Sequence, residues 1–312
     1  MIRPSAGTAR VLGFNNIQVE TLPTCAYIMV GNRCSGGCRF CGQSRHSTGG
    51  DFLSRISWKP RDSEEVLEAT ARCHLSGDLQ RACFQVVREG DSIDRTISAV
   101  KSLKNRSNIP LCVSINRIPD ENLHRLMEAG VDRIAVSFDG VNRKIYEEIK
   151  EDDYQKQWDF YQKVRKCYPG RVVVHLIIGL GETGREAVES IENFTCLDTP
   201  VSLFAFTPVH GTPMASHPPP ALSCYRKVQL AYYLIRRGLR RVYDFNKNGE
   251  IRFPHNEKEY LMQVVDGSAF QTFGCPGCNR PLYNERPGQV PYNYPRPLNE
   301  KEKQQAIESA MP

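Results

Sequence analysis

Two groups of cysteines in this chain have the spacing of metal ligands. The first is Cys34-x3-Cys38-x2-Cys41, in a stretch that also carries Gly31, Gly36, Gly37 and Gly42. Thiolates hold iron-sulfur clusters, and a short loop that glycine allows to turn tightly can bring three of them to three corners of one cubane. No fourth thiolate stands nearby, so a fourth iron would be left open to another ligand. Chance spacing and a zinc loop are the competing readings; zinc wants a fourth Cys or His, for which His46 is the nearby candidate. The second group is Cys275-Pro276-Gly277-Cys278. Such a pair serves as half a zinc site, a redox dithiol or two ligands of a cluster. A thioredoxin-like dithiol usually opens a helix near the N-terminus of its fold, whereas this pair lies beyond the last barrel strand that the pattern predicts. A second iron-sulfur cluster is the favoured reading, with its other ligands drawn from elsewhere.

Composition bears on the same question. The first twenty residues mix Arg, Asn, Gln and Glu without an apolar core, and no run of 18 apolar residues occurs, which predicts a soluble cytoplasmic protein. Thiols stay reduced there, so twelve cysteines in 312 residues read as metal ligands, redox groups or small buried side chains rather than as disulfides. Cys73, Cys167, Cys196 and Cys224 are expected to be buried or incidental thiols. A formal charge of +6, from 41 Lys+Arg against 35 Asp+Glu with no long basic run, does not favour nucleic acid as a partner but leaves room for an acidic protein surface.

Something must hold these cysteines in place. Apolar or β-branched runs at Ala26–Val30, Ala82–Val87, Leu111–Ile115, Arg133–Phe138, Val172–Ile178, Ser202–Phe206 and Glu250–Phe253 predict strands. Stretches with helical spacing lie between most of them: Asp62–Leu75, Ser92–Leu103, Asp120–Ala129, Tyr154–Cys167 and Arg185–Phe194, with a further helix over Ala221–Arg241. The alternation predicts an α/β fold, a full or partial TIM-like (β/α) barrel over residues 25–270, with a doubly wound sheet as the alternative. Residues 1–24 form an N-terminal extension and 271–312 a C-terminal one, the latter rich in Pro, Asn and Gly from Cys275 to Pro297 and expected to be an extended wrap. In either topology, ligands belong at the strand ends.

The segment NRCSGGCRFCGQS, including aromatic Phe40, resembles the cluster loop of the radical S-adenosylmethionine (SAM) superfamily. The resemblance implies that Cys34, Cys38 and Cys41 hold a [4Fe-4S] cluster whose open iron is chelated by SAM. It also implies that one electron from a donor partner cleaves SAM to methionine and a 5′-deoxyadenosyl radical, which then removes a hydrogen atom from carbon. The similarity extends along most of the chain toward biotin synthase. By that likeness Glu89, Gly90 and Asp91 stand at the turn that receives SAM's amine, Ser137 and Asp139 end the strand whose carboxylate holds the ribose, and Ile178 and Gly179 belong to the IIGLGET segment near adenine. Where biotin synthase carries an arginine for SAM's carboxylate this chain has Asp152, with Lys150 or Arg165 as substitutes.

Cys83 and Cys112 align with two ligands of biotin synthase's auxiliary cluster, but the third falls on Val173 and its arginine ligand near Glu257. That pattern is broken here, which argues against biotin as product. Cys25 is a further candidate ligand, although it starts at the far end of the first strand from the SAM site. The ending GCPGCNRPLYNERPG…YNYPRPL resembles a biotin synthase-like group that acts as a two-protein lipoyl synthase. This resemblance implies insertion of sulfur at C6 or C8 of an octanoyl chain on a lysine of a lipoyl-carrier protein (an H protein or a lipoyl domain), with a sacrificial auxiliary [4Fe-4S] cluster as donor and a second radical SAM subunit as partner. Arg236, Arg237, Arg240 and Arg241 group on one side of the last predicted barrel helix and could dock an acidic carrier, or simply face solvent. Rival readings are a hydrogenase-cofactor maturase or a methylase-like enzyme and, in other classes, a non-catalytic iron-sulfur carrier or a zinc module. No membrane partner is expected.

Overall fold

The structure is a computed structural model that describes residues 1–239, 242–281, 283–285 and 288–311. Its centre is a sheet of strands β1 (Arg3–Pro4), β2 (Cys25–Val30), β5 (Arg81–Val86), β6 (Leu111–Ile115), β7 (Arg133–Asp139), β8 (Val172–Ile178) and β9 (Val201–Ala205), side by side in that order. The short strands β3 (Phe52–Leu53) and β4 (Ile56–Ser57) form a separate hairpin. From β2 to β9 the ladder is parallel, and neighbours in space are successive in the chain. A doubly wound sheet must reverse its strand order; this one does not. Right-handed crossovers of constant direction put every helix on one face and leave the other to curl into a barrel interior.

Side-chain parity agrees. Ala26, Ile28, Val30, Phe84, Val113 and Val174 share one core with Val66, Val100, Leu126 and Ile191 of the helices. Cys25, Tyr27, Met29, Cys83, Cys112, Ala135 and Val173, the alternate positions, form a second cluster inside with Trp58. Those outer helices are α2 (Ser63–Leu75), α3 (Ser92–Arg106), α4 (Asp120–Glu128), α5 (Arg143–Lys150), α6 (Tyr154–Cys167), α7 (Gly184–Cys196) and α8 (Leu222–Arg236), while α1 (Ala6–Val11) precedes β2. Helix α5, which periodicity did not predict, starts where the Asn142 side chain accepts the Ile145 N–H. Helix α8 stops at Arg236 instead of running to Arg241.

The seventh apolar run does not join the barrel. Only β11 (Ile251–Arg252) forms there, in a hairpin with β10 (Asp244–Phe245) after Gly249, so six parallel strands make the barrel partial. The gap between β9 and β2 is laced by the C-terminal segment. The Ser202 hydroxyl donates to the Phe273 carbonyl (2.7 Å) and the Asn284 amide to the Ala205 carbonyl (2.7 Å) on the β9 side. On the β2 side the Thr24 hydroxyl donates to the Gly277 carbonyl (2.9 Å) and its N–H to the Asn279 side chain (3.0 Å). Gly277 sits at φ +74 with Gln80 against it, a position that a side chain would both strain and crowd. Beyond the segment, α10 (Glu300–Ala310) packs with α8, α9 (Lys258–Val264) and Phe270 in a core of their own. Among the described residues no helix is long and apolar enough to cross a membrane.

Candidate active site and cysteine chamber

Two cavities share the barrel interior. The upper one, about 1030 Å³, opens at the C-terminal strand ends and is lined by Cys34, Cys38 and Cys41 together with Phe40, Ser137, Asp139 and Lys150. Its cysteine loop is pinned from the N-terminal extension: the buried Arg3 guanidinium donates to the Gly31 carbonyl (2.7 Å), the Asn32 carbonyl (3.0 Å) and the Gln43 side chain (2.9 Å). Gln43 in turn donates to the Gly50 and Phe52 carbonyls (3.1 and 2.9 Å). A Cβ at Gly37 would lie 2.5 Å from the Glu151 carboxylate, so a larger residue there would push aside the Glu151 and Arg45 side chains.

Backbone N–H groups already aim at the sulfurs. Gly36 and Arg88 donate to Cys34 Sγ (3.4 and 3.3 Å), and Gln43 donates to Cys41 Sγ (3.4 Å). Burial pushes the Cys38 thiol up to about 11 and the Cys41 thiol up to about 12, so bare thiolates are not favoured and a bound cation has to drive off their protons. His46, the candidate fourth zinc ligand, turns instead to Glu151 (2.8 Å). Three thiols, directed N–H groups and no fourth thiol fit a [4Fe-4S] cluster with one open iron.

Beside the loop, Lys150 and Asp139 form a buried ion pair, with Lys150 Nζ also donating to the Ser137 carbonyl (2.9 Å). Asp139 lies at φ +64 on the wall of this cavity, an unusual backbone for a residue other than glycine. The Asn116 side-chain oxygen is buried on this wall with no partner, ready to accept from a ligand's ammonium or hydroxyl. Asp152 does not face this wall as a replacement for a SAM-binding arginine. It clasps two arginines from other strand ends, Arg88 at 2.8 Å and Arg117 at 2.6 Å, which hold its carboxyl below its ordinary range against the effect of burial.

Below this layer lies a smaller cavity of about 440 Å³, lined by Cys25, Cys83, Cys112, Cys275 and Cys278. Register explains part of the gathering: Cys83 pairs directly with Cys112 across β5 and β6, and Tyr27 of β2 pairs with Cys83. The lacing segment delivers the rest, placing Cys275 Sγ 3.7 Å from Cys112 Sγ and Cys278 Sγ 3.3 Å from the Tyr27 hydroxyl. Cys278 is pulled down to about 6 by the neighbouring Cys25 thiol, by the Arg280 charge and by the Tyr27 hydroxyl, whereas burial drives Cys25 far up. Gln85, His175, Phe204 and Tyr283 line both cavities and form the layer between them. The His175 ring is only partly open to the cavities, and burial lowers it to about 3, so it stays neutral. Among the described residues no three donors converge tightly enough to hold a single metal ion.

Cys25 starts β2 at the end of the barrel away from the upper site, and its side chain lines this same chamber. Val173 faces the same interior, but Glu257 ends a short 3-10 turn just before α9, and the arginines that line the chamber are Arg81 and Arg280. Nothing in the sequence pattern marked Arg3, Arg81, His175 or Arg280, although strand parity could have placed His175 inside.

Several other expected residues stand elsewhere. Glu89, Gly90 and Asp91 are not among the described residues that line the upper cavity; Gln85, Val86 and Val87 are. Glu89 instead accepts the Asn32 N–H (2.8 Å) and pairs with Arg95, and Asp91 stands just before α3, also paired with Arg95. Ile178 points into the outer core because strand parity puts Ile177 inside, and Gly179 packs under Pro220. Arg165 bonds Gln162 on α6, away from the cavity. Arg236 and Arg237 are exposed at the end of α8 beside the strand starts, where Arg236 stacks on Phe273 at 3.5 Å and Arg237 pairs with Asp266 at 3.0 Å. Arg240 and Arg241 lie outside the described residues. Cys73 is buried as expected, while Cys167, Cys196 and Cys224 are exposed.

Comparison with known proteins agrees with the upper site. The Radical SAM superfamily model matches residues 28–194, more than half of the chain. Biotin synthase of Methylococcus capsulatus is 30% identical over 212 residues, covering 64% of this chain and 60% of that protein. Biotin synthase of Synechococcus sp. (strain WH7803) is 26% identical over 197 residues, 59% of this chain and 57% of its own length, so these matches span less than two thirds of those relatives. Two solved structures share the fold at 15% identity and TM-score 0.55: a maturase of the [FeFe]-hydrogenase, over 82% of this chain and 60% of its own, and methylornithine synthase, over 69% and 63%. The cofactors of the upper chamber are accordingly a [4Fe-4S] cluster and SAM. With its cysteine loop at the mouth of a six-stranded partial barrel and biotin synthases among its relatives, the chain belongs to the radical SAM superfamily.

Proposed function

We propose that this protein inserts sulfur into an unactivated carbon, as a lipoyl synthase-type subunit acting at C6 or C8 of an octanoyl chain on a lysine of a carrier protein. The observation that carries the reading is the gathering of Cys25, Cys83, Cys112, Cys275 and Cys278 directly beneath the SAM chamber, where a second iron-sulfur cluster could serve as sulfur donor. Bound in the upper chamber, the [4Fe-4S] cluster and SAM supply a deoxyadenosyl radical that removes a hydrogen atom from carbon.

The residues of this chain do the positioning. Asp139 and Lys150 supply paired charge at the strand ends, and Asn116 offers a free acceptor. Leu53, Ile177 and Phe206 give the upper cavity an apolar wall suited to an alkyl chain. Gln85, His175, Phe204 and Tyr283 set the depth at which such a chain would meet the cysteine floor. Because the lacing segment fills the barrel seam and floor, a carrier-bound chain would enter from the upper mouth rather than beside Arg236 and Arg237. The test is incubation with SAM, a reductant and octanoylated carrier, alone and with a second radical SAM subunit. A gain of sulfur mass on the carrier supports the reading. Deoxyadenosine without sulfur gain moves the protein to another biotin synthase-like reaction, and no deoxyadenosine makes it a carrier of clusters.

A further inference from the structure

Arg81 and Arg280 are each only 6% exposed, and both line the cysteine chamber. Part of each guanidinium is committed. Arg81 Nε donates to the Pro276 carbonyl (2.9 Å), and Arg280 Nη2 donates to the Leu203 carbonyl (3.1 Å) while its plane stacks 3.8 Å from the Phe204 ring. Each also keeps one buried N–H without a partner, Nη1 of Arg81 and Nε of Arg280. Among the described residues neither pairs with a carboxylate. Two permanent cations buried without counter-ions are costly, and unsatisfied donors beside them add to the cost. An anion belongs in this chamber, and its chemistry is set by the five sulfurs that share the wall.

The charge can be counted. A cubane core of charge about +2 held by four thiolates carries about −2, which two arginines cancel; five thiolates would leave about −1 over. We infer that Arg81 and Arg280 are the fixed counter-charges of a four-thiolate cubane in the floor chamber, and that the fifth cysteine remains a neutral thiol. We assign Cys25 as that fifth residue: it is fully buried, and its sulfur lies 3.8 Å from the Ala26 carbonyl, within reach of a weak S–H donor. The arginines are positioning residues, since they act on the cubane's charge and not on the substrate.

The inference rests on the second-cluster reading, and iron counting on anaerobic wild-type protein judges that reading first: about eight irons per chain support it, and about four overturn both it and the charge role. The variants then judge the inference alone. Cys25→Ala is expected to keep about eight irons, and a drop to about four would overturn the assignment of the odd thiol. Arg81→Gln and Arg280→Gln should lose the floor irons, or keep them with a more negative midpoint potential, read by EPR titration in a background where Cys34, Cys38 and Cys41 are all alanine. Arg81→Lys and Arg280→Lys should restore both iron content and potential. Gln variants identical to wild type, or Lys variants as defective as Gln while the upper cluster still cleaves SAM, would assign the arginines to scaffolding and end the proposal.

Discussion

The two cysteine groups are built on opposite principles. The upper trio comes from one loop of eight residues, Cys34 to Cys41, and its donors to sulfur are backbone groups of that loop and of its neighbour Arg88. The floor quintet comes from β2, β5, β6 and a segment that follows about 160 residues after Cys112, and it exists only because the barrel brings them together. A local site keeps its geometry under many changes of scaffold; an assembled one depends on the whole fold. The first is legible as a motif, whereas the second is legible only as topology.

The largest expected effect separates the two groups outright. Cys34→Ala should abolish deoxyadenosine formation, a loss of at least about 10³-fold, because one corner of the cluster loses its thiolate. SAM turnover above that level in the variant would break the comparison at its root. Next, Cys278→Ala should leave SAM cleavage within about twofold while the iron content falls from about eight to about four and sulfur insertion stops. If SAM cleavage fell with it, the chambers would not be separable.

His175, in the layer between them, gives a pH signature. Its folded pKa of about 3 lies below the ordinary histidine value, so the unfolded chain takes up the proton first as pH drops. Stability is complete above about pH 6.5 and declines below it; at pH 5 the penalty is about 1–2 kcal/mol. His175→Gln should remove that part of the acid sensitivity, measured by denaturant unfolding at pH 7 and pH 5, and an unchanged slope would mean that the ring is hydrated. Smallest of all, Arg236→Glu with Arg237→Glu should cost about 1 kcal/mol through the lost stacking on Phe273 and the lost Asp266 pair, with carrier affinity unchanged. A weakened carrier complex would move docking to the floor end of the barrel.

Much of the barrel could be read in advance because its strands are continuous apolar runs and its helices keep a 3.6-residue period. All six parallel strands were anticipated to within one residue at each end, with β5 and β9 placed one residue late. The run at Glu250–Phe253 misled because, although part of it is a strand, it pairs with β10 in a hairpin and not with the open edge of β9. Local motif reading named Cys34, Cys38, Cys41, Phe40 and Asp139, all of which line the upper cavity. It placed Ile178 inside where Ile177 belongs, a one-residue error that parity turns into the wrong face of the sheet. Arg3, Arg81 and Arg280 were silent because each acts across a separation of at least 28 residues, where no spacing rule applies.

The seam between β9 and β2 also sets a timetable for biogenesis. A ribosome delivers β2 through β9 before residues 272–294 exist, so the barrel can curl, and the upper loop can take its shape, while the floor is still open from the side. Only after residues 272–294 have emerged can Cys275 and Cys278 enter and shut the chamber. Completion of the lower chamber therefore waits on that late segment, and a nascent chain stalled before residue 272 would present three of the five floor thiols to the cell uncovered.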